Sequence, residues 1–192
     1  MELRKRRQTF NEPGHAHELT FSCYRRLPLL ATTCAKETFL KALDEARKRL
    51  QFEVWAYVVM REHVHLLIHP IRKEHRIAQK LMAIESSFAK QLLTELRSRD
   101  SEMLKKLVVR SRDGRPAYRV WQAGGGYDRN LFSPKAIHAC INYIHANRVR
   151  SGLCESELDW PWSSARAYAG LESALRLDPC EVVLMESARR RA

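Results

Sequence analysis

Acidic side chains are the scarce class in this 192-residue chain: 22 Asp and Glu stand against 34 Lys and Arg, a formal charge of +12. Such a surplus favours a polyanionic partner, nucleic acid first and an anionic membrane surface second. Cysteine is sparse as well. Cys23, Cys34, Cys140, Cys154 and Cys180 are scattered, odd in number and without a CxxC pair, which argues against a disulfide framework or a cysteine-based zinc site. No apolar run approaches the length of a membrane span. The basic start Arg4-Lys5-Arg6-Arg7 lacks the apolar core of a secretory signal. The expectation is a soluble cytoplasmic protein, nucleoid-associated when bound to DNA, with no membrane partner. The triplet Gly124-Gly125-Gly126 belongs to neither GxxxxGK[ST] nor GxGxxG, so it is no phosphate loop. No internal repeat appears.

What is there reads as one α+β domain. Residues 1–14, broken by Pro13-Gly14, form a basic arm; residues 15–170 carry the domain; residues 171–192, ending Arg189-Arg190-Arg191, form a tail. Leu19, Phe21 and Cys23 alternate with polar residues and predict a strand. Phe39, Leu40, Leu43, Ala46 and Leu50 recur at helical spacing behind a Thr32 or Thr33 cap. Val54 to Val59 and Val64 to Ile68 are near-continuous apolar runs, two strands well inside a sheet. A second amphipathic helix is predicted from about Arg76 to Arg97, with Ile77, Leu81, Ile84, Phe88, Leu92 and Leu96 as its stripe. Asp113-Gly114 is a hairpin signal, and Tyr118 to Gln122 reads as the next strand. Ser133-Pro134 starts a helix that runs through Ile137, Cys140, Ile141 and Ile144 to near Arg150. Adjacent strands with helices returning between them imply a ferredoxin-like sandwich with a mainly antiparallel sheet.

Two short patterns carry chemistry. His63 and His65 alternate around Val64, so on a strand both imidazoles project from one face and together suit a metal ion, given a third ligand from elsewhere. Tyr143 and Asn147 lie four residues apart on the last long helix, within ~40° around its axis, and project from one side. Each residue also has an ordinary reading: structural histidines, a packing tyrosine, a capping asparagine.

Met60 to Ile68 resembles the His, bulky apolar, His signature of single-tyrosine HUH-endonuclease transposases. Tyr143-Ile144-His145-Ala146-Asn147-Arg148, followed by Asp159-Trp160-Pro161-Trp162-Ser163-Ser164, resembles the tyrosine-helix signature of the REP-associated tyrosine transposases. Trp121-Gln122, Tyr127-Asp128-Arg129 and the strand from His17 extend the likeness over roughly residues 15–170. The family's proline is missing at Arg61 and at Arg148; an arginine at the second position lets the helix continue or adds a phosphate contact.

The resemblance implies a DNA transposase that nicks and joins single-stranded DNA at palindromic hairpins. Tyr143 would be the nucleophile, forming a 5′-phosphotyrosine. His63, His65 and Asn147 would hold a divalent ion, Mg²⁺ or Mn²⁺, since two nitrogens and an oxygen without cysteine suit a hard, open site. A phenol ordinarily titrates near about 10, so an ion or a base must help it attack. Arg72, Lys73, Arg119, Arg129, Arg148 and Arg150 offer phosphate contacts, and Trp121 and Tyr127 offer base stacking. Glu62, His69 and His145 are nearby supporting residues. The chain would act as a monomer or a homodimer. Two other readings stay open: a DNA-binding regulator on the same fold with a dormant nuclease, and a HxH metal hydrolase. Against the latter stand the absent HExxH and a length below the ~250 residues of a (β/α)₈ barrel.

Overall fold

The computed structural model describes residues 11–180 apart from 112, 125 and 153. Arg4-Lys5-Arg6-Arg7 of the basic arm and Arg189-Arg190-Arg191 lie outside the described residues. Strand β1 (Ala16–Ser22) leads through a single turn to helix α1 (Thr33–Leu50). The Thr32 hydroxyl caps that helix by accepting from the Ala35 N–H at 3.1 Å, and Gln51 ends it in a left-handed conformation with φ 49°. Strands β2 (Phe52–Val59) and β3 (His63–Pro70) follow, then helix α2 (Ile77–Ser98). The short helix α3 (Glu102–Lys106) precedes a ribbon of β4 (Val108–Arg110) and β5 (Pro116–Tyr118). Strand β6 (Tyr127–Leu131), helix α4 (Pro134–Arg150) and the short α5 (Ala165–Tyr168) complete the order.

The main sheet runs β2-β3-β1-β6, with all neighbours antiparallel. This is a ferredoxin-like α+β sandwich. Alternation along the strands divides two cores. Leu19, Phe21, Val64, Leu66 and Ile68 face α1 and α2, where Phe39, Leu43, Ile84 and Phe88 meet them. Ala16, Ala56, Val58 and Leu67 face α4 and its stripe of Ile137, Cys140, Ile141 and Ile144. Burying each such aliphatic or aromatic side chain is worth about 1.5–3 kcal/mol, so a one-residue slip of β3 would exchange its two faces at a large cost. His63 and His65 share the parity of Leu67 and therefore lie on the α4 side.

One strand differs from the sequence reading. Tyr118 to Gln122 is not a strand of the main sheet: β5 ends at Tyr118 and pairs with β4 alone, and Trp121 contributes an isolated bridge to Cys23. The Trp121 indole takes a core position instead, among Phe21, Phe39 and Phe88, and its Nε1–H donates to the Glu85 carbonyl at 2.9 Å. The sheet's last strand is β6, beyond the glycines. Gly126 brings the chain so close to β1 that a Cβ there would sit 2.0 Å from the Thr20 carbonyl oxygen.

The first part of the expected tail, from residue 171, lies against the domain. Leu175 is buried, and Asp178 Oδ2 accepts from the Val54 N–H and from Arg47, each at 2.9 Å. Residues 171–180 thus pack on the domain. Trp160 and Trp162 do the same along the β2 edge, where the Trp160 indole donates to Val59 at 3.0 Å and the Trp162 carbonyl accepts from Val59 at 2.9 Å. Among the described residues no helix is long and apolar enough to cross a membrane.

Candidate active site

β3 and α4 bring four side chains together. The His63 and His65 rings stand 5.0 Å apart and nearly perpendicular, and the Tyr143 ring packs edge-on to His65 at 5.6 Å. One turn along α4, Asn147 Nδ2 lies 3.1 Å from His65 Nε2. Tyr143 remains 39% exposed, open to a macromolecular substrate, whereas His65 is buried. Arg150 lies over the Tyr143 ring with its guanidinium carbon 5.5 Å from the centroid.

The hydrogen bonds assign the histidine protons. Asn147 Nδ2–H donates to His65 Nε2, so the proton of that ring sits on Nδ1 and is donated to the Thr20 hydroxyl at 2.8 Å. Nε2 therefore carries a lone pair directed at α4. In His63, Nδ1 is engaged by the Glu62 carboxylate at 3.0 Å, which leaves Nε2 for a ligand. Burial holds the His65 pKa down to about 4, and neighbouring His63 acts in the same direction. His63 is lowered too, chiefly by burial and against the pull of Glu62. Both rings are neutral bases at pH 7, the form in which imidazole binds a metal.

Beside this cluster opens a pocket of about 520 Å³ lined by Glu18, Thr20, His65, Tyr127, Arg129, Ala139 and Tyr143. Glu18 is buried and pairs with Arg129 at 2.7 Å. Thr20 and Glu18 escaped the sequence reading. Their only signal was polarity at alternate positions of β1, which a solvent-facing strand shows equally well.

Other predicted residues fall elsewhere. Trp121, in the core, is not available for base stacking. Arg148 is buried, with its guanidinium 3.6 Å from the centre of the Trp160 ring and near Met60. It does carry α4 on to Arg150, where a proline would have removed a helix hydrogen bond. Arg72 and Lys73 are exposed beyond Pro70, at the far end of β3 and ~20 Å along the strand from His63; Arg72 bonds Gln51. Arg119 is exposed over Tyr24. His69 stacks on Trp55 and bonds Glu53. His145 is buried against Ser164 at 2.9 Å, with burial lowering its pKa to about 4. Of the three suggested supporting residues, only Glu62 touches the cluster.

Among the described residues no three His, Cys, Asp or Glu side chains converge on a metal-sized space. The third donor beside the two imidazoles is the Asn147 amide, whose Oδ1 replaces Nδ2 on a half-turn of the group.

Residues 13–112 match the profile of the family described as "Transposase IS200 like", which takes in both histidines and stops before α4. A Haemophilus influenzae protein named for the REP-associated tyrosine transposases is 27% identical over 129 residues, 66% of this chain and 66% of that protein. The solved structure of a REP-associated tyrosine transposase bound to a REP hairpin superposes with a TM-score of 0.65 at 18% identity, covering 92% of this chain and 93% of that one.

Proposed function

This chain belongs to the IS200-like transposase family, and from that premise we propose that it cuts and rejoins single-stranded DNA with Tyr143 as the nucleophile. The observation that carries the reading is the seating of the Tyr143 ring on His65, with Asn147 one turn on against the same imidazole. The Tyr143 hydroxyl oxygen attacks the phosphorus and the P–O3′ bond breaks. The phenol loses its proton and the departing O3′ gains one. A 5′-phosphotyrosine and a free 3′-OH result. Because the covalent link replaces one phosphodiester by another, a 3′-OH can reverse the step and join strands.

Neutral His63 and His65 and the Asn147 amide fit a divalent ion, Mg²⁺ or Mn²⁺, in donor type. The Nε2 lone pair of buried His65, which accepts from the Asn147 amide on a ring that Thr20 anchors, supports that fit. When bound, such an ion neutralises and orients the phosphate. Glu62 and Thr20 hold the two rings in register, as partners of metal-ligating histidines do.

The substrate we infer is single-stranded DNA bearing a hairpin, in keeping with the REP hairpin held by the structurally similar transposase. Tyr127, half exposed at the pocket mouth, stacks a base for about 1–3 kcal/mol. Arg129 and Arg150 flank the scissile phosphate, and Arg72, Lys73 and Arg119 track more distant backbone. The test incubates purified protein with labelled single-stranded hairpins and Mg²⁺ or Mn²⁺, followed by denaturing electrophoresis. Wild type yields a nicked strand and a covalent protein–DNA band, and Tyr143→Phe yields neither. Equal cleavage by Tyr143→Phe would remove the nucleophile.

A further inference from the structure

The sheet face opposite Tyr143 holds a second arrangement of imidazoles. His17 on β1 is fully buried, and its Nδ1 meets the Asp128 carboxylate of β6 at 2.9 Å. His75, in the connection between β3 and α2, lies 6.0 Å from His17 between ring centres, at 81°. Its Nδ1 lies 3.0 Å from the Arg72 carbonyl and 3.1 Å from the Lys73 carbonyl.

Carbonyl and carboxylate oxygens only accept, so Nδ1 carries the proton in both rings. In the neutral imidazoles Nε2 is then a bare lone pair. Both Nε2 atoms are buried and neither has a hydrogen-bond partner, nor do they bond each other. Leaving a buried acceptor unsatisfied costs about 1–3 kcal/mol, and here two occur in rings whose centres lie 6.0 Å apart. A carboxylate behind a histidine whose far nitrogen is bare is the arrangement that orients metal-ligating histidines and raises their basicity.

We propose that His17 and His75 bind a divalent transition-metal cation of the zinc class through their Nε2 atoms, with Asp128 orienting His17. Two nitrogens at about 2.0–2.1 Å from a shared tetrahedral ion place ring centres roughly 5 Å apart. The observed 6.0 Å needs a movement of about 1 Å, available to His75 on its exposed connection. The remaining positions belong to water. The ion ties the connection carrying Arg72 and Lys73 to the β1–β6 pair. It is separate from the His63–His65 cluster, because alternation along the strands puts the sheet between them.

The experiment uses full-length protein carrying His63→Ala and His65→Ala, so that no signal comes from the first cluster. Metal-free protein is titrated with Zn²⁺ by calorimetry and with Co²⁺ by visible absorption, and its thermal midpoint is read with and without Zn²⁺. The double variant takes up ~1 ion per chain with Co²⁺ bands of low-symmetry coordination, and Zn²⁺ raises its midpoint. Adding His75→Ala, a change in an exposed loop that leaves the circular dichroism unaltered, abolishes uptake, bands and the rise in midpoint. No uptake by the double variant would mean that buried water serves the two lone pairs, and overturns the site. Uptake that survives His75→Ala overturns it as well.

Discussion

His65 and Thr20 face each other across the β1–β3 pair, and the imidazole donates its Nδ1 proton to the threonine hydroxyl at 2.8 Å. That bond holds the orientation of the His65 ring, while the Asn147 N–H on Nε2 sets which nitrogen is basic. Without it the ring loses its anchor on β1 and can turn its Nε2 away from Asn147 and from any ion. The quality of the proposed metal site therefore rests partly on a residue of another strand that never touches the metal.

Thr20→Val keeps the shape of the side chain and removes the acceptor. Loss of such a supporting bond costs roughly 10–100-fold in metal affinity or activity, and Thr20→Ser restores most of it. Mn²⁺ titration followed by calorimetry separates the two variants. Unchanged affinity in Thr20→Val would show that the ring is held in place by something else.

Gly126 couples the glycine segment to the same threonine. Both glycines have a positive φ, +111° at Gly124 and +69° at Gly126, that disfavours a side chain, but only at Gly126 would a methyl group overlap the Thr20 carbonyl, at 2.0 Å, whereas Gly124 meets nothing within 4 Å. Gly126→Ala consequently destabilises the protein by several-fold more than Gly124→Ala and lowers cleavage by displacing β6. Denaturant midpoints and nicking assays on both variants check this, and equal effects would remove the close approach as the cause.

Histidine burial makes folding sensitive to acid. His65 and His145 are held down to about 4, both by burial, whereas a histidine of the unfolded chain titrates near ~6.5. Between these values the unfolded state binds more protons, so stability falls as pH drops through that window and levels off below about 4. Each residue contributes on the order of 3 kcal/mol to the fall. Urea unfolding across this range reads the slope, and His145→Gln makes it shallower. An unaltered slope would dismiss His145 as a source.

Trp121 belongs to the core, and its removal should behave accordingly. Trp121→Ala costs about 3–5 kcal/mol, with its melting temperature falling in step, while Trp121→Phe retains much of the packing beside Phe39 and Phe88. At temperatures where both remain folded, affinity for single-stranded DNA is unchanged. A specific loss of DNA binding at full stability would return Trp121 to a stacking role.

The sequence by itself determined the three long helices, three strands of the main sheet and the pairing of chemistry on each element. Periods of two and 3.6 are local properties, so His63 with His65, and Tyr143 with Asn147, were bound to share a face as soon as their elements formed. Only the tertiary structure decided the rest. β6 reads Tyr-Asp-Arg-Asn-Leu, too polar to announce a strand, because its buried Asp128 and its Arg129 are stabilised by His17 and Glu18 of β1. Trp121 and Arg148 looked like nucleic-acid contacts until packing claimed them. The meeting of Asn147 with His65 spans 82 positions, and the meeting of Thr20 with that imidazole depends on strand register. Register and layer order follow from the burial of both sheet faces at once, a sum over the whole chain that no local window contains.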